Sequence, residues 1–274
     1  EEERIRFFLG DVRDRERLNR AFHGIDVVVH AAALKQVPAA EYNPFEAVKT
    51  NIGGAENVIN AAIDQGVSRV IALSTDKASS PVNLYGATKF VSDKVFVEGN
   101  CYAGGTRTRM SVVRYGNVVG SRGSVIPFFL KHANSGKLPI TDDRMTRFWI
   151  TLPQGVEFVR RCLSDMQGGE IFVPKIPSMR ITDLARVVAP DAELEIVGIR
   201  PGEKLHEEMI SVTDARRTRD LGDYYIIMPD FEWGPEREFE GASPPEGFSY
   251  TSDGNTHWLS EDELRAMVKD LEAL

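Results

Sequence analysis

The chain has 274 residues, 42% hydrophobic and 27% charged, with a formal net charge of −8, which is enough apolar material for one sizeable core or a core with a smaller lobe attached. No apolar run approaches the ~20 residues of a membrane helix, the opening Glu1-Glu2-Glu3-Arg4 is the opposite of a basic signal-peptide start, and the negative balance argues against non-specific binding to nucleic acid or an anionic membrane. The expectation is a cytoplasmic protein with neither nucleic-acid nor membrane partners, and Cys101 and Cys162, far apart and outside any metal-binding spacing, read as ordinary buried thiols.

Arg4 to Leu9 alternates charged and apolar residues and reads as a strand, broken by Gly10-Asp11-Val12-Arg13-Asp14 as a strand-to-helix turn would break it. A short helix follows, with Leu18 and Phe22 one turn apart and Gly24 to end it, and Val27-Val28-Val29 is a continuous apolar run suited to a parallel strand covered on both faces. Asn43-Pro44 reads as a cap with proline at the first helical position. Phe45, Val48, Ile52, Ala55, Val58, Ile59 and Ala62 then form an apolar stripe that Gly66 closes. Arg69 to Leu73 is the next strand, Tyr85 to Val97 a helix, and Met110 to Val113 a strand again. The alternation predicts an α/β, doubly wound parallel sheet of the Rossmann-like kind over residues 1–116.

After Gly116 the alternation weakens. Short strand-like pieces at Glu170 to Val173 and Leu194 to Val197 and a helix near Thr182 to Val188 suggest that residues 117–274 form mainly a smaller substrate-binding lobe, with some segments returning to the sheet. Pro229 to Asn255, rich in Pro, Gly, Ser and acidic residues, reads as a long surface excursion before a last amphipathic helix after Ser260. A dinucleotide fold normally opens with a strand, a Gly-rich turn and a helix whose amino terminus receives the pyrophosphate. No such motif occurs here, so the domain reads as amino-terminally incomplete, with about 50–60 further residues expected ahead of Glu1 from the usual order of the fold.

The densest chemistry is Ser74-Thr75-Asp76-Lys77 at the end of a buried strand, followed by Tyr85-Gly86-Ala87-Thr88-Lys89. On a helix Tyr85 and Lys89 share a face, so the ammonium can lower the tyrosine's pKa and make it a usable base, and Thr75 can bond the same substrate hydroxyl. Tyr-x-x-x-Lys also arises by chance on exposed helices, and Asp76-Lys77 could be a simple ion pair. Their position at a strand's carboxyl end favours catalysis, because ligands of open α/β sheets bind there. By residue type alone Asp11 could cap a helix, Ala31-Ala32-Ala33 could be packing, and Lys35, Asn117, Arg147, Arg200 and Glu203 could be surface groups. His30 and His206 have no partner at nucleophile or metal spacing and read as structural.

The runs HAAALKQVPAAEYNP, TNIGGAENV, ALSTDKASSPVNLYGATK, VVRYGNVVGSRGSVIPFF, ITDDRMTRFWIT, GGEIFVPKIPSM and GIRPGEKLHE together resemble the inverting UDP-N-acetylglucosamine 4,6-dehydratases, which open pseudaminic acid synthesis and belong to the extended short-chain dehydrogenases. Retaining relatives carry methionine where this chain has Tyr85. The resemblance implies an NADP cofactor, with NAD the alternative, held by Asp11, Val12, Ala31, Ala32, Ala33, Asn51, Tyr85 and Lys89. It also implies UDP-N-acetylglucosamine as substrate, contacted by Lys35, Asn117, Arg147, Arg200 and Glu203, and a homo-oligomer, dimer or hexamer. Thr75, Tyr85 and Lys89 would oxidise C4, Lys77 would remove the C5 proton, and Asp76 would help the 6-hydroxyl leave. For Lys77 to be neutral, Lys89 and desolvation are expected to lower its pKa. A retaining dehydratase, a 4-epimerase, which has no use for Asp76-Lys77, and a truncated non-catalytic binder of nucleotide sugars are the competing readings.

Overall fold

The computed structural model describes residues 5–121, 124–133, 135–231 and 239–272. Its central sheet has six strands in the order Val27–His30, Arg69–Thr75, Arg109–Tyr115, Ile171–Pro174, Tyr224–Ile227 and Thr218–Asp220. The first four are parallel, and each of the last two joins its neighbour antiparallel. Arg69–Thr75 shows why both faces must be covered, because its side chains alternate between them. Val70 and Ala72 pack with Ala55, Val58 and Phe96 of helices Gly54–Gln65 and Leu84–Glu98. Ile71 instead joins Val113, Phe172 and, from helix Leu152–Asp165 on the other face, Cys162. Each fully buried side chain of this size contributes about 1.5–3 kcal/mol.

A second apolar cluster lies beyond residue 117. It gathers Ile126 and Phe129 of helix Val125–His132, Leu138 and Ile140 of strand Lys137–Ile140, Leu184 of helix Ile181–Val188, and Leu264 and Val268 of helix Glu261–Glu272. Strand Lys137–Ile140 pairs with Glu193–Ile196, and Thr146–Ile150 lies between Asn117–Val118 and Ser178–Arg180. Helix termini follow their sequence signals. Gly66 adopts φ 68° after Gln65, Thr151 and Gln154 form a reciprocal capping box, and Asn83 accepts from the Gly86 N–H at 2.7 Å.

Several elements differ from expectation. Residues 5–10 form no strand, and Phe7 and Leu9 are 93% exposed. With no neighbouring strand to take its N–H and C=O groups, the segment is held by Arg17, which donates to the Leu9 carbonyl and stacks on Phe8. Asn43 holds the N-cap position with Pro44 at the helix start as expected, but its side chain makes no cap bond, its amide donating back to Ala39, and the stripe after Pro44 passes through a wide turn at Lys49–Gly53 before resuming as Gly54–Gln65. Asn51 sits in that turn because its amide bonds both the N–H and the carbonyl of Leu34, and also Thr88. The described part of Pro229 to Asn255 runs largely over the surface as expected but is pinned at two points: Ala242 bridges Asp220, and Tyr250 is buried with its hydroxyl on the backbone of Ile176. Cys162 is buried as expected, but Cys101 is exposed. Among the described residues no helix is long and apolar enough to cross a membrane, and no cluster could hold a metal.

Candidate active site

The parallel strands end where the chemistry was expected. Strand Arg69–Thr75 stops at Thr75, whose hydroxyl accepts from the Lys77 N–H and starts the tight turn Asp76–Ala78. Helix Leu84–Glu98 then brings Tyr85 and Lys89 back to the same edge. Together Thr75, Asp76, Lys77, Tyr85 and Lys89 line a cleft of about 480 Å³, a size that suits a small-molecule site. Ala31, Ala33, Lys35, Asn117 and Glu203 line it as well.

Packing forces this closeness. A Cβ on Gly86 would lie 2.3 Å from the Lys77 carbonyl oxygen, so only glycine lets the helix start against the turn. Gly202, at φ +79°, presents its carbonyl to the Asn83 amide at 2.7 Å and so folds the segment after Arg200 over the cleft.

The protonation states are set by burial and by a carboxylate that sequence reasoning missed. Lys77 Nζ stands 3.0 Å from Asp76 Oδ1 and 3.0 Å from Glu207 Oε1. Burial alone would weaken the ammonium, but Asp76 and Glu207 outweigh it and raise its pKa above the ordinary lysine value. This corrects the expectation of a lowered Lys77. Burial and the Glu207 charge raise Asp76, whose Oδ1 accepts from Thr75 and Lys77 while its buried Oδ2 has no partner and is free to carry a proton. Tyr85 is pushed up to about 12 by burial, with Lys77 pulling the other way. The expected lowering by Lys89 is therefore not the dominant effect in the free protein. Lys89 is itself lowered by burial, against the pull of Asp93, and donates to the Leu73 carbonyl at 2.9 Å.

Other expected residues lie elsewhere. Asp11 is exposed and paired with Arg13, which holds its carboxyl down at about 2, and Val12 packs on Gly54. Ala32 is exposed, and Asn51 acts on Leu34 and Thr88 as described. Arg147 turns inward and donates to the carbonyls of Thr146, Lys204 and Leu205. Arg200 is exposed, 3.9 Å from Glu203. His30 lies beside Phe96, ring centroids 5.6 Å apart, and His206 Nδ1 lies 2.8 Å from the Thr146 hydroxyl.

The family model for polysaccharide biosynthesis proteins matches residues 1–229. The chain belongs to that family. The member named UDP-N-acetylglucosamine 4,6-dehydratase (inverting) from Campylobacter jejuni is 55% identical, over 98% of this chain and 83% of the relative. A protein named UDP-glucose 4-epimerase from Rickettsia canadensis is 43% identical, over 83% of this chain and 68% of its own. Among solved structures, Pen from Bacillus thuringiensis superposes with a TM-score of 0.87 at 36% identity, covering 98% of this chain and 83% of that one. A dTDP-glucose 4,6-dehydratase from Streptomyces venezuelae with NAD bound gives 0.63 at 26% identity, covering 72% and 68%. The relatives carry the names of enzymes acting on nucleotide sugars, and the Streptomyces enzyme holds NAD. The residues fit such ligands. Asn117 Oδ1 and Glu203 Oε2 are buried on the cleft lining without partners, available to ligand hydroxyl or amide donors, and Ala31 and Ala33 leave room beside Tyr85 and Lys89.

Proposed function

We propose that the chain is a C5-inverting 4,6-dehydratase of UDP-N-acetylglucosamine, giving UDP-2-acetamido-2,6-dideoxy-β-L-arabino-hex-4-ulose with NADP, or NAD, as cofactor. The observation that carries this reading is the Asp76–Lys77 pair, set 3.0 Å apart in the same cleft as Tyr85 and Lys89. Oxidation and epimerisation at C4 need only the tyrosine and lysine, whereas elimination across C5 and C6 needs a second acid and base.

When bound beside Tyr85 and Lys89, a nicotinamide cofactor would supply the acceptor for the C4 hydride and the source of hydride for C6. Tyr85, beside Thr75 and under the charge of Lys77, takes the 4-hydroxyl proton in its ionised form, which burial makes the minor one in the free protein. The resulting 4-ketone acidifies C5–H. Asp76, whose proton burial and Glu207 hold to higher pH, donates to the departing 6-hydroxyl, Lys77 takes the C5 proton in its neutral form, and once hydride has been added at C6 a proton returns to C5 from the opposite face and inverts it. Glu207 opposes that neutral form, so the rate rises with pH until Asp76 loses its proton. Lys35, Asn117 and Glu203 hold the nucleotide sugar across the cleft, and Arg200 reaches its diphosphate from the rim.

The test is mass spectrometry of UDP-N-acetylglucosamine incubated with the protein and NADP. Loss of one water is expected from the wild type, with the rate cut at least about 10²-fold in Asp76→Asn. A product of unchanged mass with the galacto configuration would replace this reading with the epimerase.

A further inference from the structure

We infer that Glu207 is a positioning residue that sets the proton balance of the Asp76–Lys77 pair, an inference that rests on the dehydratase reading. Glu207 is buried on the segment that Gly202 folds over the cleft, and its N–H donates to Ser252 at 2.9 Å. One carboxylate oxygen lies 3.0 Å from Lys77 Nζ and 3.7 Å from Arg147 Nε, and the other is buried without a partner. Arg147 is fixed by three backbone carbonyls, so it cannot follow a moving partner. The four groups thus form a fixed row: Arg147, Glu207, Lys77, Asp76.

Position in the row decides who holds the proton. Glu207 touches two cations, so although burial favours its neutral form, Lys77 and Arg147 keep it ionised. Asp76 touches one cation and feels a second negative charge behind it, so it holds its proton to higher pH. The remaining neighbours fit this division. Lys204 donates to the Ser79 carbonyl and adds positive charge near Glu207. Glu208 is occupied by the hydroxyls of Ser79 and Ser80, Tyr85 is neutral, and His206 is turned to Thr146 and Asp253. The consequence is that Glu207 supplies the acid of the elimination without touching substrate. It also ties that acid's strength to the charge on Lys77.

Glu207→Gln keeps the shape and removes the charge. Both Asp76 and Lys77 then lose protons more easily, and the whole pH–rate profile moves to lower pH by about 1 unit, as expected for removing a like charge from Asp76 and an opposite charge from Lys77. Arg147→Gln acts in the other direction, because Glu207 is then left to act on Lys77 alone, and the profile moves to higher pH. Opposite displacements are the expected result. A fall in rate with the optimum unmoved in both variants would mean that Glu207 merely packs the loop, and would overturn the inference.

A second readout needs no turnover. The Asp76 part of the infrared carbonyl band of protonated carboxylic acids, read above the ordinary carboxylate range as the difference between the wild type and Asp76→Asn, is expected to titrate away at lower pH in Glu207→Gln. If that band behaves as stated while UDP-N-acetylglucosamine is not dehydrated, the dehydratase reading fails and the proton balance stands. If the band is absent from the wild type, or titrates identically in Glu207→Gln, the inference fails whatever the activity.

Discussion

Replacing Asp93 with alanine tests how the helix that carries Tyr85 and Lys89 is fastened to the sheet. Asp93 is buried on helix Leu84–Glu98, where its Oδ2 accepts from Ser74 at 2.8 Å and from Arg114 at 3.2 Å, joining the helix to two adjacent strands. Arg114 is equally buried, its other contacts being the Met209 carbonyl at 2.9 Å and Asp214 at 3.5 Å. Removing one partner of a buried pair costs about 3–5 kcal/mol, chiefly because the other charge is left uncompensated. Asp214 still offers Arg114 a carboxylate, at longer range and partly exposed, which places Asp93→Ala at the lower end, about 3 kcal/mol. Adding Arg114→Met removes the stranded charge and should restore all but about 1–2 kcal/mol, since an apolar replacement of a buried pair is often neutral. Denaturant unfolding of the wild type, both single variants and the double variant measures the cycle. A loss under about 1 kcal/mol for Asp93→Ala, or a double variant as unstable as the worse single one, would refute the reasoning.

Two further perturbations follow from the same geometry. His30 is buried, and desolvation together with Lys89 lowers its pKa from 6.5 to about 4. The folded chain therefore binds this proton less tightly than the unfolded one. Its contribution is full above pH 6.5 and is lost as pH falls towards 4, worth up to about 3 kcal/mol, so His30→Phe should flatten that limb of the stability–pH curve measured by urea unfolding. An unchanged limb would remove His30 from the account. Gly86→Ala forces a Cβ to within 2.3 Å of the Lys77 carbonyl, so the turn bearing Asp76 and Lys77 must shift. We expect about 1–3 kcal/mol lost in unfolding and a large drop in dehydration rate, and a variant matching the wild type in both would show that the turn gives way freely.

The parallel core was readable because its signals are local. Val27–Val29, Arg69–Leu73 and Met110–Val113 are apolar runs bounded by turn residues, and Gly66 marks a helix end by its φ. Arg4 to Leu9 has the same local pattern, but a strand exists only where a neighbour accepts its hydrogen bonds, which no local pattern reports. The cluster Thr75, Asp76, Lys77, Tyr85 and Lys89 was legible for a similar reason, being two short runs at one strand end. Glu207 was not. It stands inside GIRPGEKLHE, a run already singled out for Arg200 and Glu203, yet nothing in the sequence says that Gly202 folds this segment onto Lys77, some 130 residues earlier. Nor could spacing foresee Lys77 as a charged group: proximity of Lys89 and burial argued for a neutral amine, and two carboxylates at 3.0 Å reverse the sign. Arg147 shows what residue type leaves unsaid, a guanidinium that bonds three backbone carbonyls in this structure.

The central claim concerns both the reaction and its stereochemistry, and proton NMR of UDP-N-acetylglucosamine incubated in D2O with the protein and NADP reads both at once. A new 6-methyl signal, deuterium at C5 and the arabino configuration of the 4-keto sugar are the predicted result. A xylo product would assign the retaining reaction, and an unreacted sugar despite bound cofactor would contradict the dehydratase account altogether.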